Sequence, residues 1–295
     1  MEINFRENIK EVLKNKRPNL TESSLKTYVS ILATISKKID PNNTNISIFE
    51  NHEPILELLK DLPPASRKTR LSPLFVITGK DIYQRLMLED CQVTNQSYRE
   101  QLKTEKQKEH WITMDEVGKL YDHFFNNTTK IFNNKHPLNY TVINNYLLLA
   151  CLGGISGLAP RRSQDFSEMR IKDFDESKDN FYKNGVFHFN IYKTSQKYGT
   201  QTINVKEKAP AFYKLLQKWI KINPTPYLLF GDTQQKLTSS QITKRFNYLF
   251  GKKSSVNNLR HAYLTERYGD IQQEMANDSE MMSHSPATQA LYIKH

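Results

Sequence analysis

The chain has 295 residues, 38% of them hydrophobic, and 42 Lys and Arg against 31 Asp and Glu give it a formal charge of +11. That size suits two domains or one large one, with one or two ordinary cores, and the lack of any run of about 18 apolar residues argues against a membrane span. Its two cysteines, Cys91 and Cys151, stand in unrelated contexts, which argues against a disulfide framework or a cysteine-based zinc site and fits a reducing compartment.

The positive charge is uneven. Residues 1–110 hold 18 Lys and Arg against 15 Asp and Glu, and residues 111–295 hold 24 against 16. A polyanionic partner follows, with nucleic acid ahead of an anionic membrane because no basic amphipathic anchor stands out. The wealth of Lys, Asn and Ile is also what an AT-rich genome encodes.

In chain order, MEINFRENIKEVLKNK reads as a charged amphipathic helix (Ile3, Ile9, Val12, Leu13) without the apolar stretch of a secretory signal. Residues 21–39 place Leu25, Tyr28, Val29, Leu32, Ile35 and Ile39 on one helical stripe, with Ser23 or Ser24 as the cap. Further helices follow in PASRKTRLSPLFVITG and DIYQRLMLEDCQVTNQSYREQL, so residues 1–105 form an all-helical domain. Arg67, Lys68 and Arg70 cluster near a helix start, where phosphate contact competes with a plain solvated helix end.

The stretch Lys103 to His110 has no apolar residue and reads as a linker, with the boundary between domains placed at 106–110 and a second domain over 111–295. WITMDEVGKLYDHFF opens that domain as a helix on a capping box of Thr113 and Glu116. YTVINNYLLLACLGGI is apolar nearly all round, as a buried helix is, and Gly153, Gly154 and Gly157 end it. GVFHFNIY (185–192) and TQTINV (200–205) predict a β-hairpin with Lys193 to Gly199 as its loop. KAPAFYKLLQKWIKI, SSQITKRFNYLF, SVNNLRHAYLTERY and DIQQEMANDSEMM return to helix. The expected fold is mainly α with a small antiparallel β-sheet.

Several chemistries lack their motifs. GxxxxGK[ST], GxGxxG, HExxH and GxSxG are missing, as are Cys/His ligand spacings and the clustered carboxylates of a two-metal nuclease. No cofactor and no metal is therefore expected. What remains is an ordered set of cations and one late tyrosine. Arg161 and Arg162 follow a Gly/Pro break in SGLAPRRSQDFSEMRIKDFD, Lys193 ends a strand, Arg260 lies in NNLRHAYLTERYG, and His284 and Tyr292 lie in MMSHSPATQALYIKH. Taken singly, each is more often a surface or packing residue.

In this order they resemble the tyrosine recombinase family, which includes phage integrases and is distantly similar to the type IB topoisomerases. The match covers about 185 residues. SGLAPRRSQDF resembles the family's TGLR turn, giving Arg162 with an acidic residue, Asp165, three positions on; the following EMRIKDFD selects Arg162 over Arg161. Lys193 falls on the hairpin lysine, Leu259, Arg260 and His261 on the HxLRH helix, and His284 on the GHS segment. Tyr292 stands eight residues past that histidine.

The resemblance implies a helical core-binding domain and a catalytic domain that clamp duplex DNA. Tyr292 is the implied nucleophile, forming a 3′-phosphotyrosyl intermediate without metal or ATP. Arg162 and Arg260 hold the scissile phosphate, and arginine suits this because it stays charged and grips two oxygens at once. Lys193, on a mobile loop, is the general acid, with Lys197 its lesser rival. His284 manages the tyrosine proton or donates to a phosphate oxygen, and Asp165 supports an arginine. Arg67, Lys68, Arg70, Arg161 and Lys197 are the expected DNA contacts. Asn257 departs from the family histidine; an amide can donate to a phosphate oxygen but cannot shuttle a proton.

The resemblance further implies a homo-oligomer, a synaptic tetramer on DNA. The protein is expected inside a cell with DNA, in cytoplasm or nucleus, and a viral or mobile-element source would suit it. Three residues follow Tyr292, where many members continue with a helix that docks on a neighbour. A type IB topoisomerase and a catalytically silent DNA-binding relative are the alternatives.

Overall fold

The computed structural model describes residues 2–101 and 103–293, the side chains of residues 2 and 3 excepted; Ile3, assigned by sequence to the first apolar stripe, falls under that exception. The chain divides into two compact units, Met1–Lys103 and Thr104–His295. In the first, α1 (Glu2–Lys16), α2 (Glu22–Ile39), α3 (His52–Leu59), α4 (Pro64–Thr78) and α5 (Asp81–Arg99) enclose a core that includes Ile9, Leu13, Leu32, Phe49, Leu74 and Tyr83. The apolar stripe of α2 points inward as its spacing demands. Its cap is Thr21, whose hydroxyl accepts the Ser24 N–H, rather than Ser23 or Ser24, which lie inside the first turn.

The second unit opens with α6 (Glu105–Glu109), in the stretch that sequence marks as linker. A reciprocal capping box of Thr104 and Gln107 holds this short helix, so local hydrogen bonding outweighs its lack of apolar residues. The predicted box of Thr113 and Glu116 starts α7 (Met114–Phe132). The next helix, α8 (Tyr140–Leu152), is buried over nearly its whole length, and α7, α12 (Pro210–Ile222) and a sheet pack around it. Between them come α9 (Ser163–Ser167), α10 (Ser195–Tyr198) and α11 (Val205–Lys208). Two further helices, α13 (Ser239–Phe250) and α14 (Val256–Met281), precede a last turn, α15 (Pro286–Gln289).

The sheet has four strands in the order β1 (Met169–Arg170), β2 (Asn180–Lys183), β3 (Val186–Phe189) and β4 (Gln201–Asn204). The expected antiparallel hairpin is β3 with β4, with Phe187 opposite Ile203. The sheet as a whole is mixed, because β1 lies parallel to β2. An Asn184–Gly185 turn with both residues at positive φ joins β2 to β3, the two-residue connection that matches strand twist. The segments SVNNLRHAYLTERY and DIQQEMANDSEMM form one continuous helix, α14, through Gly269. No helix among the described residues is long and apolar enough to cross a membrane.

Candidate active site

The site begins where α8 stops. Gly154 (φ +77°) and Gly157 (φ +102°) adopt left-handed backbone that glycine accepts without a Cβ penalty. A Cβ on Gly154 would lie 2.6 Å from a ring carbon of Tyr263 on α14, and one on Gly157 would lie 2.2 Å from the Lys208 carbonyl oxygen. The turn therefore presses against α14 one helical turn past Arg260, which brings the Arg161–Arg162 segment beside that helix.

Asp165 on α9 is the centre of the group. It is 2% exposed. Burial raises its carboxyl above the ordinary range, and the charges of Arg161, Arg162 and Arg260 act in the opposite direction. Three guanidinium groups thus sit close enough to one buried carboxylate to feel it. Arg161 makes the direct bond: its Nε donates to Asp165 Oδ2 at 2.8 Å. Arg162, at the N-terminal boundary of α9, accepts the Asp165 N–H on its backbone carbonyl at 3.1 Å, and its side chain has no hydrogen bond or ion pair among the described residues. Arg260 is half-buried, and its Nη1 meets Asn257 Oδ1 at a long 3.5 Å. That arrangement leaves the Asn257 amide NH2 to donate elsewhere.

The β3–β4 loop carries the lysines. Lys193 is exposed and has no ion pair among the described residues, and Lys197 lies in α10 with its ammonium over the Tyr198 ring. The base of this loop is densely bonded. Asn180, fully buried at the start of β2, bonds to Asn190 and Ile191, and Tyr192 donates its hydroxyl to the Gly199 carbonyl at 2.6 Å. Asn180 carries no sequence signal that marks it; an asparagine at a strand edge reads as a turn residue.

His284 and Tyr292 meet each other, with ring centroids 5.8 Å apart. His284 is half-buried with Nε2 unpartnered, and Tyr292 is 72% exposed. No hydrogen bond among the described residues joins this pair to Arg162 or Arg260. The reason is α14, which is largely exposed from Leu264 onward and runs from Arg260 to Met281 without a break, about 30 Å at 1.5 Å per residue. The structure thus holds two groups, an arginine cradle and a histidine–tyrosine pair at the far end of one helix.

In the first unit, Arg67 is committed elsewhere. Its Nε and Nη2 form a two-pronged bond to Asp90 at 2.9 and 2.7 Å, and Asp90 is 1% exposed. Arg67→Ala leaves that carboxylate buried and unpaired, so a loss of about 3 kcal/mol is expected, read as faster hydrogen exchange across α4 and α5. Lys68→Ala is expected to change exchange little, within about 0.5 kcal/mol. Arg70 donates to the Ser66 carbonyl within α4.

The fold is that of the tyrosine recombinases. A crystal structure of XerH site-specific recombinase bound to difH substrate, a pre-cleavage complex, is similar over 97% of this chain and 91% of its own, with 17% identity and a TM-score of 0.50. The same recombinase on palindromic difH substrate, a post-cleavage complex, covers 97% of this chain and 80% of its own at 17% identity, with a TM-score of 0.48. A scan against protein-family models finds no match, and neither does a search of the curated proteins.

Proposed function

We propose that the chain is a site-specific tyrosine recombinase that cuts and rejoins duplex DNA. The observation that carries this reading is a recombinase fold whose glycine turn packs on Tyr263 and so brings the Arg161–Arg162 segment beside the helix of Arg260. Two cations answer the need of a phosphodiester transition state, whose negative charge spreads over the non-bridging oxygens. Asn257 adds one neutral donor at the same helix face. Tyr292 Oη attacks phosphorus, the 5′-oxygen departs with a proton from Lys193, and the phosphate remains linked to tyrosine. That ester keeps the bond energy, so resealing by the 5′-hydroxyl needs no nucleotide. His284, beside Tyr292, handles the phenol proton. Lys68, Arg70 and Lys197 supply contacts to the DNA backbone, which position the duplex without reading its sequence.

Attack requires Tyr292, which follows the far end of α14, to reach a cradle at the start of that helix. Either α14 breaks near Gly269, where sequence separates two helices, or the tyrosine serves a cradle on another copy in an oligomer on DNA. The test is incubation with nicked duplexes drawn from the ends of the element that encodes the protein, in EDTA and without ATP. An SDS-resistant protein–DNA adduct is expected. Binding with no adduct on any of these duplexes identifies a silent DNA-binding relative instead. Relaxation of a supercoiled plasmid that lacks such sites identifies a topoisomerase.

A further inference from the structure

Arg161 is poorly placed to bind DNA. Its side chain is 18% exposed, and its donors and face are already engaged. Besides the bond to Asp165, its Nη1 donates to Gln201 Oε1 at 2.9 Å, and its guanidinium lies 4.1 Å from the Phe189 ring centroid and 5.3 Å from that of Tyr192. Arg162, one residue on, is the arginine left open.

The other three partners of Arg161 share one property: they bracket Lys193. Phe189 ends β3, Tyr192 immediately precedes the lysine, and Gln201 begins β4. Arg161 therefore fastens both ends of the lysine loop to Asp165, the carboxylate around which Arg162 and Arg260 act. Asn180 fastens the same junction a second time. Its Oδ1 accepts the N–H groups of Asn190 and Ile191 at 2.8 and 2.7 Å, and its Nδ2 donates to the carbonyls of Ile191 and Asp165 at 2.8 and 3.0 Å. All four hydrogen-bonding valences of that buried amide are filled.

We infer that Arg161 is a positioning residue that holds Lys193 at proton-transfer distance from the leaving 5′-oxygen; this rests on the reaction proposed above. A general acid must come within hydrogen-bond reach of the atom it protonates, and a misplacement of about 1 Å costs on the order of 10²-fold in rate. Loosening Arg161 thus removes protonation of the leaving group while leaving the phosphate cradle of Arg162 and Arg260 in place.

Leaving-group chemistry tests this. A DNA substrate with sulfur in place of the 5′ bridging oxygen departs as a thiolate, the conjugate base of a thiol of pKa about 8.5, and needs no proton donor. Cleavage of the sulfur and oxygen substrates is compared for wild type, Lys193→Ala, Arg161→Lys, Gln201→Ala and Arg162→Ala. Within each preparation the ratio of the two rates cancels any change in folded fraction. Arg161→Lys keeps the charge facing Asp165 but loses the fork and the flat face.

Arg161→Lys is expected to cut the oxygen substrate about 10²-fold more slowly than wild type and the sulfur substrate at near wild-type rate, as is Lys193→Ala. Gln201→Ala is expected to shift the same way by less, and Arg162→Ala to be slow on both. If Arg161→Lys is equally slow on both substrates while Lys193→Ala is rescued by sulfur, the positioning role is wrong and Arg161 belongs to the phosphate cradle. If Lys193→Ala is not rescued, the general-acid assignment falls, and the inference falls with it.

Discussion

Arg260→Ala is expected to slow DNA cleavage by about 10³-fold, the loss that follows removal of a preorganised donor from developing transition-state charge. Asn257→Ala, three residues earlier on α14, is expected to slow it about tenfold or less. The difference is chemical. Arg260 brings a permanent charge on a half-buried side chain, where water screens it less than at the open surface. Asn257 brings one neutral hydrogen bond, of net value about 1 kcal/mol. Single-turnover cleavage of a nicked duplex at saturating protein reads both. Equal rates for the two variants would mean that this face of α14 does not hold the phosphate.

Tyr292→Phe is expected to lose adduct formation altogether while DNA affinity stays within about threefold of wild type, because only the attacking oxygen is removed. The same variant distinguishes the two routes to the cradle. Tyr292→Phe keeps an intact cradle and Arg260→Ala keeps an intact tyrosine. If the tyrosine serves another copy, a mixture of the two regains adduct, carried on the Arg260→Ala chain. If α14 breaks and folds back on its own unit, the mixture stays inactive. Leu264, Tyr268 and Ile271, at spacings of four and three residues, form an exposed apolar stripe on this helix.

What was legible in the sequence was what depends on near neighbours. The stripe of α2, the buried length of α8, the capping box of α7 and the β3–β4 hairpin follow from periodicity and caps. β1, two residues long, is too short to show a pattern, and β2 buries three successive residues rather than alternate ones, although Asn184–Gly185 is a hairpin signal in plain view. Gly269 misled in the other direction, since one glycine costs a helix only about 1 kcal/mol and the flanking residues carry α14 through it.

The cradle was legible only as an order of motifs. Arg162 and Arg260 stand 98 positions apart in the chain, and their approach depends on how a glycine turn meets Tyr263. The occupation of Arg67 and Arg161 was not legible at all. Both read as free cations, yet one pairs with Asp90 and the other with Asp165, Phe189 and Gln201. Only tertiary packing decides which arginine of an adjacent pair is left open for a ligand.

The central claim is that Tyr292 forms a covalent bond to DNA phosphate. Peptide mapping of the adduct formed on a nicked duplex tests it most directly, with the attached nucleotide localised by mass spectrometry after protease and nuclease digestion. The expected result is a 3′-phosphonucleotide on the peptide that contains Tyr292, lost in Tyr292→Phe. A nucleotide on any other residue, or an adduct that survives in Tyr292→Phe, would contradict the account.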